Sequence, residues 1–293
     1  MAGFYPKSIR SSSWNYGGAN WKLSRSKIDL FIECPRCFYL DNKLGVSRPK
    51  GFPFNLNSAV DFLLKKEFDA HRVAKSTHPL MKEYGVQAIP FAHTELDTWR
   101  ENFEGIQYVH PASGLLISGA IDDVWVNPKG ELIVVDYKAT SKDEKVTLDA
   151  EWQDGYKRQM EVYQWLLRRK GFKVSDTGYF VYANGLRDRK AFDAKLEFEV
   201  ILIPYTGSDE WVEKTIMAAK ACLDTDELPA HDRMCEHCLY RKLSLEVQAK
   251  FIKKSPIQTT GEKIEEKPKK PKATKKKLSI RSEEPTNKTT SLF

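Results

Sequence analysis

Between Ile117 and Thr140 the spacing of apolar and polar residues predicts two β-strands. The first places Ala120, Ile121, Val124, Trp125 and Val126 around two acids, Asp122 and Asp123. The second, Leu132 to Val135, is a nearly continuous apolar run that ends in Asp136-Tyr137-Lys138. Such runs mark strands buried on both faces. Asn127-Pro128-Lys129-Gly130 between them is turn sequence, so the pair reads as a β-hairpin.

Helical periods flank this hairpin. Ser24 or Ser26 caps a helix through Ile28, Leu30, Phe31 and Ile32 that ends near Cys34-Pro35-Arg36-Cys37. Gly45 to Pro53 reads as a loop. Ala59, Val60, Leu63, Leu64 and Phe68 form the stripe of a helix from about Asn57 to Arg72. Residues 77–110 show no single period, and 94–102 suits either a short helix or a strand. Ser141 to Asp149 is polar loop sequence. Glu151 to Lys170 predicts a helix that stops before Gly171, and Gln159 and Tyr163, four apart, share one face of it. Thr177 to Ala183 and Leu196 to Pro204 alternate as strands, and Ser208 caps a helix to Leu223. The mixture predicts an α/β fold with a central mixed sheet flanked by helices.

Composition adds the boundaries. The 293 residues, 41% hydrophobic and 12% aromatic, describe an ordinary globular protein. No apolar run nears the roughly 20 residues that cross a bilayer, so no membrane partner is expected. The first 22 residues lack the apolar centre of a secretory signal, which points to the cytoplasm. Five cysteines, an odd number, argue against a secreted disulfide framework. Of the net charge of +7, residues 255–293 carry +5, with ten Lys or Arg against five Glu. The expected division is a flexible arm over 1–22, whose Trp14, Tyr16 and Trp21 have the means to dock, a folded domain over 23–254, and a disordered Lys-rich tail over 255–293. That tail reads equally as a solvated segment or as a source of salt-sensitive affinity for nucleic acid.

The candidate chemistry starts from the acids. Asp136 and Lys138 are two apart and face one side of a strand. If the hairpin carries Asp122 to that side, two oxygen ligands and an ammonium converge. Carboxylates suit a hard divalent cation such as Mg²⁺, and the Lys can offset charge on a phosphate. Asp61, near the start of its helix, reads either as a partner of the helix N-terminus or as a further ligand. Cys34-x-x-Cys37 and Cys235-x-x-Cys238 together supply four thiolates, enough for one Zn²⁺ ion or an iron–sulfur cluster. The alternative is two unrelated thiol pairs. Cys222 sits in an apolar helix and reads as core.

Several of these residues together resemble the PD-(D/E)xK nuclease superfamily. They are Gly119-x-Ile121-Asp122, Asp136-x-Lys138, Gln159-x-x-x-Tyr163, the segment LSRSKIDLFIECPRCFYL, and Cys235-x-x-Cys238 after a Leu-Pro loop. The nearest branch is similar to RecB-type nucleases, which include AddAB-type helicase–nucleases and CRISPR-associated RecB-like exonucleases. The resemblance spans about Leu23 to Lys242 and implies a restriction-endonuclease-like core acting on DNA, as single strands or duplex ends. It implies Mg²⁺ or Mn²⁺ on Asp122, Asp136 and the Tyr137 carbonyl, and Lys138 positioning water or stabilising the transition state. It also implies that Gln159 and Tyr163 line the site. Asp123 competes with Asp122 as the first acid, on the opposite face of the strand. The branch carries a His where this chain has Asp61, and its cysteines divide one and three rather than two and two. The resemblance favours a [4Fe–4S] cluster over Zn²⁺, and a helicase or CRISPR adaptation proteins as partners. The rival reading is a non-catalytic nucleic-acid-binding subunit of a repair, recombination or CRISPR adaptation complex.

Overall fold

The computed structural model describes residues 10–51 and 54–252. The tail expected from residue 255 and the first nine residues of the expected arm lie outside the described residues. Contacts divide the chain into Met1–Leu245 and Glu246–Phe293, and the first unit carries the fold below.

In chain order the elements are β1 (Leu23–Ser24), α1 (Arg25–Glu33), α2 (Pro35–Asn42), α3 (Asn55–Ala74), α4 (Pro79–Glu83), β2 (Ile89–Pro90), α5 (Leu96–Arg100), β3 (Ile106–Val109), β4 (Leu116–Gly119), β5 (Asp123–Val126), β6 (Leu132–Thr140), α6 (Asp154–Arg169), β7 (Thr177–Gly185), β8 (Phe198–Thr206), α7 (Glu210–Asp224) and α8 (Glu236–Ile252). Five strands make a mixed sheet in the order β2-β5-β6-β7-β8. The β6–β7 pair is parallel and joined through α6, and the other pairs are antiparallel. A smaller sheet has the order β1-β4-β3.

One expectation needs correction here. The first strand of the hairpin is not continuous. It breaks at residues 120–122, and the chain passes from the small sheet (β4) to the large one (β5). The bend is held by the end of α5: Ile121 N–H donates to Trp99 O at 2.9 Å, and Arg100 Nε donates to Asp122 O at 3.0 Å. The ambiguous stretch 94–102 is therefore helical at its centre. Sequence periodicity also missed α2, which Pro35 opens at its first turn, and α8. Part of the expected arm is docked. Trp21 is buried, its Nε1 donates to Asn42 Oδ1 at 3.0 Å, and Tyr16 packs edge-on against it.

The large sheet is covered on both faces, as the apolar run of β6 requires. Leu132 and Val134 pack with Phe180 against α6 residues such as Met160 and Leu166. Ile133, Val135 and Tyr137 pack on the other face against Leu64 and Phe68 of α3. This period of two decides which β6 side chains meet α6 and which meet α3. Gly119 closes the α6 side. A Cβ there would lie 2.7 Å from Tyr163 Cε1 and 3.1 Å from Leu166 Cδ1.

Gly119→Ala should therefore cost about 1–3 kcal/mol of stability through overpacking. Gly51→Ala, where a Cβ meets nothing within 4 Å, should change the thermal midpoint little. Thermal denaturation of both variants checks this, and equal midpoints would show that Tyr163 does not pack against Gly119.

Candidate active site

Asp136 occupies the α6 face of β6, two residues beyond Val134, in a position the strand pattern reserves for an apolar side chain. It is fully buried. Its Oδ1 accepts a hydrogen bond from Gln159 Nε2 at 2.8 Å, and the same nitrogen lies 3.0 Å from the Tyr163 hydroxyl. Its Oδ2 makes no hydrogen bond and is paired with the Lys138 ammonium. Burial pushes the Asp136 carboxyl up to about 7, with Asp122 adding to the rise and Lys138 opposing it. Burial lowers the Lys138 ammonium, but Asp136 and Asp122 more than offset this and leave it raised. Its Nζ stands 4.6 Å over the Tyr156 ring.

The two adjacent acids part company. Asp123 pairs with Val135 across the hairpin and is completely buried. It accepts from Arg72, from Arg100 Nη2 at 2.9 Å and from the Tyr137 hydroxyl at 2.7 Å. Asp122 is partly exposed and lies at the open end of β5 and β6, where its Oδ2 accepts from Tyr137 N–H at 3.0 Å. Asp123 is saturated by cations and a hydroxyl. Asp122 keeps an accessible oxygen.

Asp61 faces the same region. Lys65 Nζ lies 2.9 Å from Asp61 Oδ2 and 3.3 Å from Asp122 Oδ1. Burial raises the Asp61 carboxyl, and Asp122 raises it further. Because α3 begins at Asn55, Asp61 lies beyond the first turn, where the helix terminus no longer acts on it. The carboxylates of Asp61, Asp122 and Asp136 do not close within 4.8 Å of one another, and two ammonium groups stand among them. Sequence reasoning missed Lys65, although its spacing of four from Asp61 was a usable sign. It also missed Tyr156, one turn before Gln159 on α6.

The donors fit a hard divalent cation. They are oxygens, Asp136 Oδ2 is buried without a hydrogen bond, and the carboxylates outnumber the ammonium groups.

The four cysteines gather at a second place. Cys34 and Cys37, at the α1–α2 junction, meet Cys235 and Cys238, at the start of α8, and all four are buried. Sulfur separations are 3.8 Å (Cys34–Cys238), 3.6 Å (Cys37–Cys235) and 3.5 Å (Cys37–Cys238). Burial pushes the Cys37 and Cys238 thiols up. Burial acts the same way on Cys34, but hydrogen bonds from Cys37, Asp232 and Cys235 outweigh it and leave this thiol at about 7. Arg48 Nη2 lies 3.6 Å from Cys235 Sγ, placing a cation beside the sulfurs. Four thiolates on one tetrahedral ion with bonds near 2.3 Å sit about 3.8 Å apart. An iron–sulfur cube places more atoms between them and requires the two Cys-x-x-Cys segments to spread.

The two adjacent acids should differ in what they contribute to stability. Asp123→Asn should lower stability by about 3–5 kcal/mol, because buried arginines lose their counter-charge. Asp122→Asn should cost less than about 1 kcal/mol, as removal of a partly exposed pair does. Urea denaturation separates them, and equal losses would contradict the assignment of faces. Asp136 has a folded value of about 7 against 3.8 in a free chain. The folded state therefore holds a proton across this window that the unfolded chain has lost, so this residue's contribution to stability falls as pH rises. A metal ion competes with that proton. The rise in thermal midpoint on adding MgCl₂ should be larger at pH 8 than at pH 6, and an equal rise at both would remove Asp136 from the ligand set.

No curated protein matches the chain. Fifteen chains of solved structures match it, among them the crystal structure of SSO0001, at 14% identity and a TM-score of 0.36, covering 76% of this chain and 84% of that one. The family model described as PD-(D/E)XK nuclease superfamily matches residues 56–243, from the second residue of α3 through Cys238 into α8. That span is well over half of the sequence, and the chain belongs to the PD-(D/E)XK nuclease superfamily.

Proposed function

We propose that the protein is a metal-dependent DNA nuclease of the RecB-like type that trims or processes DNA ends. The observation that carries this reading is the meeting of Asp136, Lys138, Gln159 and Tyr163 between β6 and α6, with Asp122 at the adjacent strand end. Asp122, Asp136 and the Tyr137 carbonyl, with Asp61 as a further ligand, would hold Mg²⁺ or Mn²⁺, which would supply Lewis-acid polarisation of a phosphate and a more acidic water. Gln159 fixes the rotation of the Asp136 carboxylate through Oδ1 and turns Oδ2, now paired with Lys138, toward the place a cation would take. Lys138, steadied over Tyr156, offers its ammonium to charge that develops on the phosphate. Lys65, shared by Asp61 and Asp122, adds a second ammonium on the α3 side. DNA, as single strands or duplex ends, is the partner on this reading. The resemblance to RecB-type nucleases adds a helicase or CRISPR adaptation proteins.

On the same reading the four cysteines hold a [4Fe–4S] cluster that ties the start of the domain to residues 235–238. A zinc ion is the second reading, favoured by the sulfur spacing of 3.5–3.8 Å.

Asp136→Ala and Lys138→Ala should each reduce cleavage of labelled single- and double-stranded DNA in Mg²⁺ or Mn²⁺ by about 100-fold or more, as loss of transition-state charge stabilisation does. Metal-independent binding without cleavage by the unaltered protein would favour the non-catalytic subunit instead. Metal analysis of anaerobically purified protein should find about four iron atoms per chain. One zinc and no visible absorption would replace the cluster with zinc.

A further inference from the structure

Trp152 is a large aromatic side chain that the core does not use. It is 60% exposed. It lies in a 3₁₀ turn (Glu151–Gln153) that leads into α6. The turn itself is anchored. Gln153 is buried, its Oε1 accepts from Ala150 N–H at 3.0 Å, and its Nε2 donates to Thr147 O at 2.7 Å. The neighbouring residue thus anchors the backbone that carries the exposed indole, so the turn itself loses little freedom when a ligand covers the ring.

What surrounds the ring indicates the ligand. Lys142 Nζ stands 5.3 Å from the Trp152 ring centroid. Lys142 is itself fixed to β7, with its N–H donating to Asn184 Oδ1 at 2.9 Å and its carbonyl accepting from Asn184 Nδ2 at 3.1 Å. Trp152 also meets Tyr156 edge-on, with centroids 5.6 Å apart. Tyr156 in turn carries Lys138. An unbroken chain of contacts therefore runs from the buried acid to the surface: Asp136, Lys138, Tyr156, Trp152, Lys142. Two aromatic rings lie between two cations along it, the combination of ring faces and positive charge that takes the bases and phosphates of an unpaired strand.

We propose that Trp152, with Lys142 beside it, is a nucleobase-stacking platform that seats single-stranded DNA at the mouth of the acidic site. The platform rests on the nuclease reading above and extends it to strand preference. Bases inside a duplex already have both faces covered, so an indole presented at the surface selects an unpaired end. Every base has a π-face, so stacking on an indole is tolerant of sequence.

The test uses the full chain with Trp152→Ala and Trp152→Phe. Binding of a fluorescein-labelled oligothymidylate and of a hairpin duplex is read by anisotropy without divalent metal, and cleavage of both in Mn²⁺. Trp152→Ala should weaken oligothymidylate binding roughly 5- to 100-fold, the worth of one base–aromatic stack. It should raise KM by a similar factor with kcat within about twofold, in keeping with a lost binding contact. Trp152→Phe should recover most of the loss, and duplex binding should shift less than about twofold, as the lack of an exposed base face requires. An abasic nucleotide moved along the strand should, at one position, cost the unaltered protein the same factor and cost Trp152→Ala nothing. Unchanged single-strand affinity in Trp152→Ala, equal losses on duplex, or no abasic position that cancels the effect would each overturn the platform. If the unaltered protein cuts neither substrate but binding follows the expected pattern, the nuclease reading fails alone. Normal cleavage with an indifferent Trp152→Ala sinks the platform alone.

Discussion

A single buried charge organises the structure. Asp123 has no contact with water, and a carboxylate in that position is tolerable only when cations and hydrogen-bond donors surround it. Arg72 of α3, Arg100 of α5 and the Tyr137 hydroxyl of β6 provide them. Asp69 completes the set by accepting from Arg100 Nη1 at 3.0 Å and pairing with Arg72. Two helices and two strands thus share one electrostatic knot. Arg100 also holds the backbone carbonyl of Asp122 at 3.0 Å, so the bend between the two sheets is tied to the same knot. Its consequence for the site is positional. With Asp123 locked toward α3, the preceding residue is left at the strand end, where its carboxylate meets Tyr137 N–H and Lys65. The choice between two neighbouring acids is settled by which of them finds buried cations, and neither pattern nor spacing carries that information.

Much of the remainder was legible because it follows from local periods. The apolar run of β6 and its terminal Asp-Tyr-Lys gave the central strand and the face shared by Asp136 and Lys138. The spacing of Gln159 and Tyr163 gave the helix face that meets them, and the two Cys-x-x-Cys pairs gave a four-sulfur group. What the sequence hid is tertiary. The break at residues 120–122 leaves no mark on hydropathy, because Ala120 and Ile121 suit a strand and only the end of α5 bends them away. Lys65 gains its second carboxylate only in the fold, from Asp122, 57 residues later. The α8 helix shows almost no amphipathic pattern, and among its described residues only Cys238 is buried. Its start is defined by the sulfur group rather than by an apolar stripe.

A metal held by the four sulfurs would make this group a long-range closure. Cys34 and Cys238 are 204 residues apart, and a link across that distance removes chain entropy worth about 5 kcal/mol by analogy with a disulfide. Arg36 Nε donating to Pro229 O at 2.8 Å and Tyr39 OH donating to Thr225 O at 3.0 Å seal the same junction with neutral and charged hydrogen bonds. The closure leaves the acidic site untouched, since it joins α1 and α2 to the segment after α7, while Asp136 and Lys138 sit between β6 and α6. Stability and chemistry are therefore supplied at separate places on one chain.

That separation matters because the acidic site works against the fold. Asp136 replaces an apolar residue at a wholly buried position, one oxygen is left without a hydrogen bond, and burial holds the carboxyl at about 7 rather than in the usual acid range. An apolar side chain there would pack against α6 at no such cost. Lys138 next to it lowers the penalty without removing it, because an ammonium on a flexible stem is a poor substitute for a cation that reaches both carboxylate oxygens. A divalent cation would bring a higher charge density than Lys138 to the same carboxylate. The knot around Asp123, on the neighbouring strand, supplies rigidity beside this buried acid and its partner Lys138 at the centre of the sheet.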